Sequence, residues 1–172
     1  MTADNIHAVA FSGHRKERIL QGNGNNPCIL GQVQLAIIEQ VERLYNQGYR
    51  TFYNGMSEGF DLLAASAVIA CRWKYKDIRL VAVVPFRNQS ARYEKLDAMQ
   101  YDTLLEEADE VVILSQYYYR GCFHRRNDYL IEHANVVISY HDGIFKGGTF
   151  YTVKKAQGMN KEIINLFKKS AL

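Results

Sequence analysis

Apolar positions along this chain fall into two kinds of run, and the two kinds alternate. "IHAVAFSG", "YRTFYNG", "IRLVAVVPF", "EVVILSQ" and "NVVISYHDG" are short, β-branched or aromatic, and each closes on turn residues. Such runs predict parallel strands buried on both faces. The segments between them carry apolar residues at helical spacing. In "LGQVQLAIIEQVERLYNQG", Val33, Ala36, Ile37, Val41, Leu44 and Tyr45 form one stripe and Gly48 supplies a stop signal. Similar spacing predicts helices over about 57–75, 90–108, 126–133 and 149–157, and "EIINLF" predicts a last short strand.

Strands alternating with helices predict a mainly parallel sheet, because right-handed crossovers carry the chain above and below it. The expected fold class is α/β, a Rossmann-like three-layer sandwich with helices on both faces. At 172 residues the chain suits a single domain, 1–172, that buries a core without disulfides or a structural metal. The least patterned stretch is "LQGNGNNPCILG" after the first strand, which reads as a long connection or a mobile lid.

Composition narrows the partners only slightly. Hydrophobic residues at 48% and charged residues at 23% are ordinary for a folded globular chain. Lys and Arg outnumber Asp and Glu by 21 to 18, too small an excess for an obligate duplex binder. Cys28, Cys71 and Cys122 are far apart and form no C-x-x-C pair, so reduced thiols and a cytoplasmic location are expected. Neither a secretory leader nor a run of 18 apolar residues is present, so no membrane partner is expected.

An open α/β sheet binds ligands outside the carboxyl ends of its strands. The segments that follow the predicted strands are "SGHRKE", "GMSEGFD", "PFRNQ", "SQYYYRGCFHRRN" and "HDGIFKGGT". Ser12 and Gly13 stand where a dinucleotide fold has its first phosphate turn, and His14 and Arg15 add donors for an anion. Both the G-x-G-x-x-G pattern and the P-loop are absent, which sets aside ordinary NAD binding and Walker-type ATP hydrolysis.

Gly55, Ser57 and Gly59 spell G-x-S-x-G, the nucleophile-elbow pattern of hydrolases. Asp109 or Asp128 with His133 or His141 completes a Ser, acid, His order only formally, since five histidines are spread along the chain. The other reading is an anion-binding turn. Gly55, Met56 and Gly59 bring backbone near a ligand, Ser57 caps the next helix, and first-turn amides face a phosphate. Glu58 and Asp61 would repel that phosphate, which assigns them to ribose hydroxyls or a basic neighbour. A plain strand-to-helix turn uses the same residue types.

Gly147 and Gly148 before Thr149 make a second anion nest at a helix start. "YYYRGCFHRRND" mixes Tyr117, Tyr118 and Tyr119 with Arg120, His124, Arg125 and Arg126, chemistry used on single-stranded nucleic acid, on one nucleotide, or at a subunit interface. No metal-ligand spacing stands out; His124 and His133 lie too far apart to share a helical face as ligands.

Taken in order, "FSGHR", "GMSEGFD", "VPF" with Gln89, Arg126-Asn127 and "GGT" resemble the SLOG superfamily, named after the Smf/DprA and LOG proteins, and within it the YpsA-like proteins. The resemblance runs from about Phe11 to Ala156. It implies a Rossmann-like fold that senses or processes nucleotides or nucleotide-derived ligands such as ADP-ribose-like molecules. "GMSEGFD" is similar to the S/G-x-A-x-G-x-D turn of the DprA branch, with Gly59 and Asp61 at matching positions. "GGT" is similar to the P-G-G-x-G-T-x-x-E motif of LOG phosphoribohydrolases, but Thr152 stands where that motif has its glutamate, which speaks against LOG-type hydrolysis.

The resulting expectation is a nucleotide-binding module with no certain cofactor other than a bound nucleotide or ADP-ribose-like ligand. Gly13, Gly55 and Gly147 to Thr149 surround the phosphates, and Arg15 or Arg126 offsets their charge. Gln89, Asn127 and Asp61 bond sugar or base, while Phe86 or Tyr118 stacks on the ring. A nucleotide hydrolase using Glu58 or Asp61, and a single-stranded nucleic-acid module using Tyr117 to Arg126, rank as alternatives. A homo-oligomer that buries the tyrosines is compatible with all three.

Overall fold

The structure, a computed structural model, describes residues 7–168; Ile6 of the first predicted strand lies outside them. Six strands alternate with six helices: β1 Ala8–Gly13, α1 Lys16–Gln21, α2 Cys28–Asn46, β2 Thr51–Asn54, α3 Phe60–Cys71, β3 Arg79–Val84, α4 Lys95–Glu107, β4 Glu110–Ile113, α5 Cys122–Glu132, β5 Val136–Tyr140, α6 Gly148–Gly158 and β6 Glu162–Asn165. All pairings are parallel and the strand order is β4-β3-β2-β1-β5-β6. The expected Rossmann-like α/β sandwich is therefore the observed one.

Side-chain alternation along the strands divides the core between two faces. Val9 and Phe11 of β1, Phe52 of β2 and Leu80 and Ala82 of β3 point toward α2, α3 and α4. Ala10, Val81 and Val83 point the other way, toward Leu130 of α5. Val33, Ile37, Val41 and Leu44 of the predicted stripe are fully or almost fully buried, each contributing about 1.5–3 kcal/mol of burial. β5 is buried throughout because both its faces and both its edges are covered.

Element boundaries moved where a tertiary contact outweighed the local pattern. The loose stretch after β1 is shortened by α1, anchored by buried Ile19, and α2 starts at Cys28. The helix expected from Ser57 starts only at Phe60, because Gly59 holds a φ of 90°. Residues 90–108 split into a short 3₁₀ turn, Gln89–Arg92, and α4. The helix expected from Arg126 begins four residues earlier, after Gly121 in the left-handed conformation.

Candidate functional site

The chain leaves β1 toward β2, β3 and β4 and then crosses back to lay β5 on the other side of β1. This reversal opens a crevice beyond the ends of β1 and β5, the place where such sheets take ligands. A cleft of about 720 Å³ occupies it. Ser12, Gly13, His14, Arg15, Ser57, Asp61, Arg126, Asn127, Gly147, Gly148 and Thr149 all line it, although they come from four separate segments.

The first turn of α6 edges this cleft. Its initial amides have no intrahelical acceptor, and Gly147, with a φ of 96°, turns the chain so that they face outward. Asn127 approaches the same turn: its Nδ2 lies 3.7 Å from where a Cβ on Gly148 would stand. Arg15 and Arg18 supply charge on the α1 side. Arg15 is exposed and its nearest carboxylate, Glu58, is 3.8 Å away, beyond hydrogen-bond distance.

Arg126 has a different task from the one expected of it. Its side chain is buried and donates to the Gly55 carbonyl, to Asn127 Oδ1 at 2.8 Å and to Ser57 Oγ at 3.1 Å. These bonds tie α5 to the turn after β2. Gly55 is required there because a Cβ would stand 2.7 Å from the Arg126 guanidinium carbon. Ser57 does not cap α3; Gly59 is the N-cap residue, and Ser57 Oγ accepts from Arg126.

The other glycines of these turns serve contacts within the protein. A Cβ on Gly13 would enter the Phe60 side chain, and one on Gly59 would meet the backbone of His14 to Lys16. Met56, with a φ of 61°, is buried in the core; its amide donates to Asn54 Oδ1 and its carbonyl accepts from Tyr93. Gln89 bonds the Gly55 carbonyl at 3.1 Å and lines, with Phe86, a neighbouring groove. Gly147 and Gly148 are the pair left facing the cleft.

Asp61 is the chemically unusual group. It is only 5% exposed; Oδ2 accepts from the Ser57 amide at 3.2 Å, and Oδ1 has no hydrogen-bond partner among the described residues. Burial pushes its pKa up to about 6, against the attraction of Arg126 and the Ser57 amide. The folded state therefore keeps a proton that the unfolded chain has released, so stability is fully present near pH 4 and is lost as pH rises through 6, by up to about 3 kcal/mol. Asp61→Asn is expected to flatten this decline relative to wild type in denaturant titrations across that window; parallel pH profiles for the two proteins would refute it.

Arg18 and Phe123 also line the site and Asp142 holds Arg18, none of them singled out from sequence, whereas His124, named there among the basic residues of the aromatic stretch, lines it as well. Asp142 holds Arg18 with two hydrogen bonds, 2.7 and 2.8 Å, and its amide donates to His14 Nε2 at 3.0 Å. Burial would raise the Asp142 pKa, but Arg18, the Ile144 amide and His14 hold it well below the usual carboxylate range. His14 is lowered, chiefly by burial and then by Arg18, which fits a neutral ring accepting at Nε2. His14, His141 and Asp142 have ligand atoms within 4.8 Å of one another, the spacing of a cation site. His14 Nε2 accepts from the Asp142 amide, the Asp142 carboxylate accepts from Arg18 and the Ile144 amide, and His141 Nε2 faces the Ile144 carbonyl, so the trio is a hydrogen-bond network at the ends of β1 and β5.

A family model described as the YspA SLOG family, YpsA, matches residues 9–167. The chain belongs to this YpsA family. Among similar curated proteins, the SPbeta prophage-derived protein YoqJ of Bacillus subtilis is 29% identical over 127 residues, 67% of this chain and 72% of that one. A UPF0398 protein of Bacillus cereus is 21% identical over 154 residues, 88% and 83% of the two chains.

Solved structures share the fold. DNA processing protein A of Helicobacter pylori, described for its single-stranded DNA binding mode, superposes with a TM-score of 0.63 at 17% identity, over 97% of this chain and 68% of that one. The Streptococcus pneumoniae protein of the same name gives 0.59 at 18% identity, over 91% and 48%. Thr152, at the position of the LOG glutamate, is 1% exposed in this YpsA-family chain and donates to the Gly148 carbonyl inside α6. Among the described residues, no helix is long and apolar enough to cross a membrane.

Proposed function

We propose that this YpsA-family protein is a nucleotide-binding module that takes the phosphate of a nucleotide unit in the sheet-edge cleft. The observation that carries the reading is the convergence of donors on one cavity. The first-turn amides of α6, the Asn127 amide and Arg15 all line it, while Arg18, bound to Asp142, edges the turn at Gly147. A phosphate accepts from the amides and from Arg15 together, and such charge-assisted bonds are about twice as strong as neutral ones. Cleft volume suits a small ligand.

Single-stranded nucleic acid is the second reading. It is favoured by the groove of about 610 Å³ beside the cleft, which is lined by Phe86, Tyr117, Tyr118 and Phe123. Aromatic faces next to a cationic channel are the usual means of holding single strands. The fold-level likeness to a protein described for single-stranded DNA binding supports the same reading. We place the protein in the cytoplasm on the strength of its unpaired, reduced cysteines.

Calorimetry with AMP, ADP-ribose and a short oligothymidylate tests both readings. Arg15→Ala is expected to weaken whichever ligand binds by about ten-fold or more. An oligonucleotide held by its phosphates will also lose affinity steeply with salt. Unchanged affinity in Arg15→Ala would remove the phosphate assignment. Product formation in the same mixtures would give Asp61 or Glu58 an acid–base role instead.

A further inference from the structure

We propose that the aromatic groove beside the cleft is a second nucleoside subsite, so that the ligand this surface is shaped for carries two nucleoside units joined through phosphate. The proposal rests on the phosphate reading of the cleft and goes beyond it in naming the size and chemistry of the ligand. Cleft and groove are adjacent, for Arg15 and Phe123 line both. At about 720 and 610 Å³, each alone falls in the range that holds one small ligand. One nucleotide fills one of them and leaves the other open.

The shared residues are of the kinds such a ligand needs at its middle. Arg15 has no hydrogen-bonded acid, since Glu58 stands 3.8 Å away, and it lines both cavities, where it would face a bridging phosphate. Phe123 also lines both and offers an aromatic ring to either unit. Leu130 gives the cleft its own apolar wall for the first nucleoside.

The groove's rings are held by the fold in edge-to-face contacts. Phe86 meets Tyr118 at 5.6 Å and Phe123 at 5.9 Å between centroids, with interplanar angles of 84° and 79°. Tyr118 remains 64% exposed, which is no core position. The loop that carries it is fixed by the Ser115 hydroxyl donating to the Tyr117 carbonyl at 2.8 Å, and by Arg87 bonding both the Ser115 carbonyl and Gln116. An ordered loop presenting an exposed tyrosine ring beside an arginine held only by a 3.8 Å ion pair fits a base that stacks while its phosphate is held.

Two ligand sources share this chemistry, a strand with phosphodiester links and a free dinucleotide with a pyrophosphate bridge. The test uses the full chain with thymidine 5′-monophosphate, the dinucleotide pdTpdT, AMP and NAD, and compares each two-unit probe with its one-unit counterpart. The second unit is expected to tighten binding by about ten-fold or more through stacking. Exposed Tyr118, replaced in Tyr118→Ala, is expected to bring that ratio close to one. A gain with pdTpdT assigns the surface to a strand, a gain with NAD to a pyrophosphate-bridged ligand, and either one supports two subsites. Mononucleotide binding with no gain from either second unit, or a gain that survives Tyr118→Ala, overturns the inference and leaves the phosphate reading standing. Binding of none of the four probes overturns the phosphate reading itself, and the inference with it.

Discussion

Gly59→Ala is expected to cost about 4 kcal/mol of stability, the sum of backbone strain and of overpacking that no side chain can relieve. Gly59 has φ and ψ of 90° and −121°, a region that L residues rarely enter. A Cβ would stand 2.7 Å from the Arg15 carbonyl carbon and 2.8 Å from the His14 carbonyl oxygen. Both are backbone atoms. Pushing them away also strains the 3.1 Å bond from the Phe60 amide to the His14 carbonyl, which fastens the start of α3 to the end of β1. For a chain of this size the melting temperature should fall by roughly 8–16 °C. Gly13→Ala lacks the backbone strain but not the clash, because its new Cβ would stand 2.3 Å from Cγ and 2.5 Å from Cβ of the fully buried Phe60; about 3 kcal/mol is expected there. A loss below about 1 kcal/mol for Gly59→Ala in thermal denaturation would contradict the strain assigned to its backbone.

Arg126→Ala is expected to cost about 3–5 kcal/mol, in the range for removing one member of a buried charged network. The guanidinium supplies three neighbours at once, the Gly55 carbonyl, Ser57 Oγ and Asn127 Oδ1. Its charge also draws the Asp61 pKa down against burial. Without it the Asp61 pKa moves further above 6, and the folded state holds its proton to higher pH. The cost should therefore be larger near about pH 7, where wild-type Asp61 ionises beside Arg126 and the variant must hold its proton, than near about pH 5. Arg126→Lys keeps the charge but cannot reach three acceptors from one ammonium, so it should restore the pH dependence more fully than the stability. Urea titrations of both variants at the two pH values check this. A pH-independent loss in Arg126→Ala would show that Arg126 acts through its hydrogen bonds alone.

These two residues have a bearing on function as well as on folding. Both hold the turn after β2 against its neighbours, Gly59 against the β1–α1 loop and Arg126 against α5. That turn places Ser57 and Asp61 at the wall of the cleft. Losses of ligand affinity in either variant are thus expected to follow losses of stability. Arg15→Ala should separate the two, because its exposed side chain supports no packed contact.

Much of the architecture was legible in the residue pattern because each part of it is a local consequence. A β-branched run closed by turn residues forms a strand wherever helices cover it, and the stripe from Val33 to Leu44 forms a helix wherever it can be buried. Alternation of the two then implies parallel pairing. The rule for open sheets put the residues after the strands at one edge, and eleven of the sixteen expected there do line the cleft. Only the tertiary structure decided what each of them does. Gly13, Gly55 and Gly59 read as approaches to a ligand, but the groups that approach them are Phe60, Arg126 and the β1–α1 backbone. Arg126 read as a phosphate partner, but its donors are taken up within the protein, by acceptors more than sixty residues away and by the next residue. Arg18 could not be seen, because α1 is too short for its pattern to rise above a loop and its partner Asp142 lies across the sheet reversal. Residue type and spacing determine which elements form and at which edge polar groups gather; which donors remain for a ligand depends on pairings between distant segments, and those exist only once the chain has folded.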